Sequence, residues 1–391
     1  MNNHFKNIEI NDDIELKMNI YNLDTCIVNS FRRIVLSDVI SNAFDKIIIK
    51  TNTSIINNEI LSHRLSLIPL EIDIDDIDNI CVELEVSNSD YDKKFVTSSD
   101  LKVISGKINI IPNILLVELR HGEKISLKMY PIKGNGKKHA KFQPVSVCCF
   151  KINEDVRIKQ DIWDKLSVKS KKTFRKYCKE TLSLDGDHYL YDNSIGAYGF
   201  KNFNENTKNK IINGIKGYLS DNGIMDEDES KDMNKDVVIF SDQYYNKKYV
   251  YSFKLESHLV DPYVVFSKIL YRFDKKIIEL QNKDIEIDNT NCLAGVCFII
   301  QGEGHTIGNI LSKELQKDDR VKYSYYKMKH PFDRKIMLYL ILNDEKGDET
   351  KYAKVLADSF KRIVKMNNDL QTEWEIILEK QKLDVQEIIE I

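Results

Sequence analysis

The chain has 391 residues, 42% of them hydrophobic, enough to bury substantial cores and fold as about two to three domains. Its formal charge of −3 and pI near 6.3 give no global attraction to nucleic acid, so bulk nucleic-acid binding is excluded and any contact must come from a local patch. Seven cysteines, at 26, 81, 148, 149, 178, 292 and 297, lack disulfide-like spacing, Met1 is not followed by an apolar signal core, and no membrane-length apolar run occurs; a soluble intracellular protein without a membrane role is expected.

The first predicted element is a helix over 22–39, where Leu23, Ile27, Phe31, Ile34 and Val35 recur at helical spacing and Asn22 or Asp24 can cap the first turn. Arg32 and Arg33 fall on another part of its surface and are expected to be free for a partner. A β-like run, Lys46 to Lys50, leads to a second short helix over Glu59–Leu67 that Pro69 ends. From Ile80 to Val86 apolar and polar residues alternate as in a half-exposed strand. Ile114–Leu119 and Ile125–Tyr130 read as a hairpin turning at Arg120-His121-Gly122-Glu123. The stretch 151–236 is polar and irregular, with a basic helical piece at 165–179 and an acidic loop at 226–229.

Tyr249–Glu256 reads as a strand and Pro262–Leu280 as an amphipathic helix with Val265, Ile269, Phe273 and Ile277 on one face. A polar link, Asn282 to Thr290, precedes a compact unit: strand Leu293–Ile300, helix 306–316, strands 321–328 and 335–342, and a C-terminal helix. That helix keeps Tyr352, Val355, Leu356, Phe360, Ile363, Leu370, Trp374 and Ile377 in register over about thirty residues, long enough for its stripe to serve an interface. Ile27-Val28-Asn29-Ser30-Phe31 aligns with Ile307-Gly308-Asn309-Ile310-Leu311 at an offset of 280, a weak internal repeat. Two such units would bury a shared helical face as a pseudo-two-fold pair.

Motif chemistry is largely negative. Gly134-Asn135-Gly136-Lys137-Lys138-His139 has its glycines two apart and His139 where a P-loop needs Ser or Thr, so a turn between strands fits better than phosphate binding. Gly302, Gly304 and Gly308 miss the dinucleotide spacing. The cysteines are too dispersed for zinc, and the acids at 71–78 lack the glycine and bidentate Glu of a calcium loop. No nucleophile–base or paired-carboxylate arrangement assembles, so no catalytic residue, cofactor or metal is assigned. Segment 165–179, with seven basic residues uninterrupted by acid and Phe174 and Tyr177 interleaved, reads either as a solvated helix or as a basic patch serving a nucleic-acid-binding accessory protein.

Beside this stands a resemblance. Lys133 to Pro144, with Gly134, Gly136, Lys138, His139, Lys141 and Phe142, resembles the glycine-lysine-histidine segment of the α-like, third-largest subunit of cellular RNA polymerases. Asn29–Asp38, Asn52–Leu70 with His63-Arg64, and Phe253–Ser257 followed by Pro262 look like further blocks of that subunit. Gly302–Asn309 and Lys327–Pro331 look like the signature of its smaller, eleventh-type partner.

The resemblance implies an α+β chain in which two assembly subunits are fused. Residues 1–50 and 237–282 would form one dimerisation domain, 51–236 a mainly β insert, and 283–391 a second dimerisation domain paired with the first in cis. Asn29, Phe31, Arg32, Arg33, His63, Arg64, Gly134, Gly136, Lys138, His139, Lys141, Phe142 and Pro144 would then serve subunit docking. Ile27, Ile34, His305, Thr306, Gly308, Asn309, Leu311, Phe360 and Trp374 would serve the intrachain pairing. The implied role is a non-catalytic platform, not a homodimer, that binds the second-largest and largest polymerase subunits and small zinc-bearing subunits, with DNA and RNA touched only indirectly. Many relatives carry a cysteine-bound metal in the insert, but Val86–Asp100 contains no cysteine, so metal is not carried over. Fusion, with the AT-rich coding implied by abundant Asn, Ile, Lys and Asp, looks like the polymerases of large cytoplasmic DNA viruses, implying viral factories and virions as the location.

Overall fold

The computed structural model describes residues 4–152 apart from 73, 250–288 apart from 284, and 295–381 apart from 331 and 345–348. Between 152 and 250 it describes 156–158, 189–192, 197–200, 238–240 and scattered positions from 169 to 180. The chain is mixed α+β and divides into two compact units, 1–151 with 251–391, and 152–250.

The larger unit opens with β1 (Phe5–Asn11) and β2 (Glu15–Tyr21), an antiparallel pair, followed by α1 (Thr25–Ser37). Helix α1 begins later than the spacing predicts because Asn22 takes a positive φ of 58°, leaving Asp24 as its N-cap residue. Next come β3 (Ile40–Asn52), α2 (Asn58–Ser66), β4 (Leu70–Ile72), β5 (Cys81–Ser87), β6 (Lys94–Thr97), β7 (Lys102–Ser105), β8 (Ile108–Ile110), β9 (Leu115–Leu119) and β10 (Lys124–Asn135). Asn57 caps α2 by accepting the amide of Ile60. Strands β3, β10, β5 and β7 form one sheet in that order, with the pairs β4–β8 and β6–β9 beside it. Leu65, Val82, Leu84, Val96, Leu119 and Leu127 are among the buried residues of their shared core.

The hairpin predicted for 114–130 is not formed. Strand β9 pairs with β6 and β10 pairs with β3 and β5, because the intervening turn is held by another loop: the amide of Gly122 donates to Asn88 O, and Asn88 donates to Glu123 O and, through Nδ2, to Leu119 O.

Strand β11 (Val145–Ile152) falls inside the interval 51–236 expected to be an insert, yet it is the edge strand of the sheet that holds β1 and β2. In the smaller unit, β12 (Val156–Ile158), β13 (Tyr189–Asp192), β14 (Ala197–Phe200) and β15 (Val238–Phe240) make a sheet of order β13-β14-β12-β15. The acidic loop 226–229 and most of 165–179 lie outside the described residues; Lys169, Lys172 and Lys176 are helical and exposed.

Strand β16 (Val250–Ser257) and α3 (Pro262–Gln281) return to the larger unit, followed by β17 (Glu286–Ile287), β18 (Val296–Gln301), α4 (His305–Leu315), β19 (Val321–Lys327), β20 (Lys335–Leu342) and α5 (Glu349–Lys380). The expected polar link at 282–290 therefore contains a short strand, β17, paired to β18 through Glu286 opposite Ile299.

The two sheets have the same wiring. Their orders are β1-β2-β16-β11 and β17-β18-β20-β19. In each, a helix follows the second strand and a longer helix follows the third strand of the sheet order. Helix α1 packs on α4 and α3 on α5. The core between them is aromatic: Phe266 meets Phe5, Phe31, Phe253 and Trp374 with ring centroids 4.5–5.8 Å apart.

Candidate assembly interface

Helices α1 and α4 carry the aligned repeat, beginning at Thr25 and His305, 280 residues apart. Ile27, Phe31 and Ile34 on α1, and Ile307, Gly308 and Leu311 on α4, are buried. Each helix's start meets the other's end: Asp24 pairs with Lys317 at 2.5 Å, and Arg33 Nε donates to Thr306 Oγ1 at 2.6 Å. The expectation that both arginines are free is therefore corrected: Arg33, though exposed, bonds α4, and Arg32 Nε donates to Asn29 Oδ1 one turn back.

Gly308 is required by close packing, since a Cβ there would lie 2.5 Å from the Tyr326 ring on β19. His305 is exposed and its Nδ1 lies 3.3 Å from Tyr326 Oη; Asn309 is half-buried. Trp374 is 1% exposed, and its Nε1 donates to Ser267 Oγ at 3.0 Å and to Tyr263 O on α3 at 3.3 Å. Phe360 is buried on the same helix.

The glycine-lysine-histidine segment folds against the end of α1. A Cβ on Gly136 would sit 1.9 Å from Leu36 O, and one on Gly134 would sit 2.7 Å from the Phe142 ring, so each glycine marks a close approach. The amide of Lys137 donates to Ser37 O, and Gln143 Nε2 donates to Leu36 O. Lys141 Nζ bonds Asp45 and donates to Phe44 O, while its ammonium lies 5.1 Å from the Phe142 ring centroid. His63 on α2 and His139 stand with ring centroids 6.2 Å apart. Arg64, though exposed, is tied to β9, donating to Leu116 O at 2.9 Å and Leu115 O at 2.7 Å.

The segment thus brings the end of α1, His63, Lys137, Lys138 and His139 onto one surface, with the last four side chains exposed. Beside it, Leu67, Pro69, Lys141, Gln143, Pro144 and the loop His258–Val260 line a cleft of 170 Å³.

Sequence reasoning missed the charge lock beneath this surface. Asp38, after α1, bonds Lys137 Nζ at 2.7 Å and Lys276 Nζ of α3 at 3.4 Å, and Lys276 also meets Glu303 at 3.2 Å. The side chains of Asp38 and Lys276 are each 8% exposed and that of Glu303 11%. Burial alone would raise the Asp38 pKa, but Lys276 and Lys137 outweigh it and hold the carboxyl below its ordinary range.

Asp318 stands 280 residues on, after α4, and has its own pair of cations: Arg320 at 2.7 Å and Arg362 of α5 at 3.0 Å. The Arg320 bond leads in lowering its pKa. The offset that aligned Asn29 with Asn309 also aligns these aspartates, and it was the available signal. Among the described residues no cluster of three or more His, Cys, Asp or Glu could hold a metal.

The sequence has relatives among known proteins. Residues 296–373 fit the family model described as the RNA polymerase Rpb3/Rpb11 dimerisation domain. Over 214 residues, 43% of this chain, it is 32% identical to the DNA-directed RNA polymerases I and III subunit RPAC1 of Saccharomyces cerevisiae, covering 64% of that protein. It is 31% identical to the DNA-directed RNA polymerase subunit Rpo3 of Thermococcus kodakarensis, over 41% of this chain and 65% of the relative. It is 28% identical to the DNA-directed RNA polymerases II, IV and V subunit 3 of Arabidopsis thaliana, over 48% of this chain and 72% of the relative. The chain spans less than two thirds of the length of the RPAC1 relatives it matches. Its homologues are α-like, Rpb3/Rpb11-type RNA polymerase subunits.

Proposed function

We propose that this chain is a non-catalytic platform subunit of a multisubunit DNA-dependent RNA polymerase, with an α-like unit and an eleventh-type unit fused and paired in cis. The observation that carries the reading is the repeated strand order of the two sheets, joined through α1 with α4 and α3 with α5. In this reading the first dimerisation unit consists of β1, β2, α1, β11, β16 and α3, with inserted material on either side of β11. The second runs from β17 through α5.

The surface of Lys137, Lys138, His139 and His63, with the adjacent cleft, docks the second-largest subunit, and small zinc-bearing subunits bind alongside. The AT-rich composition and the fusion favour a large cytoplasmic DNA virus as the source, with assembly in viral factories and packaging in virions.

A tagged chain should co-purify at fixed stoichiometry with two very large polypeptides and keep them in high salt, whereas a phosphate-dominated association weakens steeply with salt. Lys138→Glu with His139→Glu, both exposed, should abolish this co-purification while the purified variant stays a folded monomer by light scattering. Normal incorporation of that variant would overturn the docking assignment, and a stable homodimer of the intact chain would overturn the pairing in cis.

A further inference from the structure

Among the described strands, β19 is an edge strand of the second sheet. Ser324 and Tyr326 turn inward, Ser324 accepting at its carbonyl from Ser312 and Gln316 and Tyr326 against Gly308. Tyr323 and Tyr325 turn the other way and are 62% and 50% exposed. The register sets Tyr323 opposite Ile341, Tyr325 opposite Tyr339 and Lys327 opposite Met337, so Lys335 and Tyr339 share their face. Tyr325 and Tyr339 stack with centroids 4.6 Å apart and planes 10° from parallel.

The turn into β20 adds exposed Lys329 and Arg334, and Phe332 at 88% exposure. Lys327, Lys329, Arg334 and Lys335 make no ion pair among the described residues; Asp333 is the acid within the turn, and Glu286 lies on β17 at the opposite edge of the sheet. Water-facing tyrosines next to uncompensated cations suit a ligand with flat π-faces and a negative backbone.

We propose that the outer edge of this sheet, Tyr323 and Tyr325 with Lys327, Lys329 and Lys335, binds single-stranded nucleic acid by base stacking and phosphate contact. Duplex is disfavoured because its bases are already stacked on each other and leave no free face. An acidic peptide would meet the lysines but leave the rings unused. Such binding is tolerant of sequence and belongs to the chain itself, so it goes beyond the platform role and does not depend on it.

The test is fluorescence anisotropy of the full chain with labelled oligo-uridylate and oligo-thymidylate across a salt series. Wild type should bind, with affinity falling as salt rises. Tyr323→Leu with Tyr325→Leu, which keeps apolar side chains at both positions, should weaken binding by about tenfold or more, and Tyr323→Phe with Tyr325→Phe should retain it. Lys327→Ala with Lys329→Ala should flatten the salt dependence. Oligo-uridylate preference would mark RNA as the natural ligand and equal binding would mark single strands in general; either outcome supports the site. It is overturned if wild type does not bind, if the leucine pair binds as wild type, if only Lys172→Glu with Lys176→Glu abolishes binding, or if the leucine pair instead disrupts self-association.

Discussion

The two αβ units share strand order and helix placement but differ in how the end of the pairing helix is held. Both aspartate side chains are 8% exposed, but after α1 Asp38 is locked by Lys137 and by Lys276, itself 8% exposed and shared with Glu303, whereas after α4 Asp318 is locked by Arg320 and Arg362, 46% and 38% exposed. The same device is thus built once around a buried lysine, Lys276, helped by the exposed Lys137, and once from two arginines that reach solvent. Depth decides what each is worth: burial makes removal of one partner costly, whereas solvent screens an exposed pair.

Lys276→Met is the strongest challenge to this contrast. It strands Glu303 and half of the Asp38 lock in a dry site, and should cost about 3–5 kcal/mol. Arg362→Met, whose side chain is 38% exposed, should cost about 1 kcal/mol or less. Urea denaturation of both variants checks the ordering, and equal losses would mean that depth does not distinguish the two locks.

Glycine packing sharpens the comparison at a smaller scale. Gly136→Ala forces a Cβ into the Leu36 carbonyl, which cannot move without shifting α1, and should cost about 2–3 kcal/mol. At Gly308 the clash is with the Tyr326 ring, a side chain that can shift, and Ala regains about 1 kcal/mol of helix propensity. Its net cost should be about 1 kcal/mol, measured in the same urea experiment.

Acid gives the smallest effect. Both aspartates are held below the ordinary range in the folded chain, so the stability they add is present at neutral pH and is lost as pH falls below about 4. Asp318→Asn should lower the urea midpoint at pH 7 and narrow the difference between pH 7 and pH 3. An unchanged difference would mean that Asp318 is not an acid-sensitive group.

Much of this architecture was legible in the sequence because it rests on local periodicity. Ile27, Phe31 and Ile34 announced the buried face of α1, and Trp374 declared that α5 needed a partner, which the structure supplies in Tyr263, Ser267 and Phe266. Pairings fixed at long range were less legible. Ile114–Leu119 and Ile125–Tyr130 have the pattern of a hairpin, but Asn88, distant in sequence, captures the turn and sends the two strands to different partners.

Lys276 escaped notice for a related reason. One lysine in an amphipathic helix reads as solvated until two acids from other elements are brought to it. Arg32 and Arg33 were expected to be free, yet Arg33 bonds Thr306 and Arg32 bonds Asn29. Side-chain reach is not encoded in spacing.

Glu373 on α5 accepts the amides of His4 and Phe5, each at 3.0 Å, and Phe5 leans on Trp374 with ring centroids 5.3 Å apart. Strand β1 therefore finds partners in a helix 368–369 residues further along the chain, made long after it. Until α5 has emerged, β1 and the rings of α3 lack part of their cover, so the first unit must wait, partly open, through synthesis of everything between. Closing a loop that long is a slow step with exposed apolar surface while it lasts. The sheet that holds β1 is thus completed only when α5 has been made.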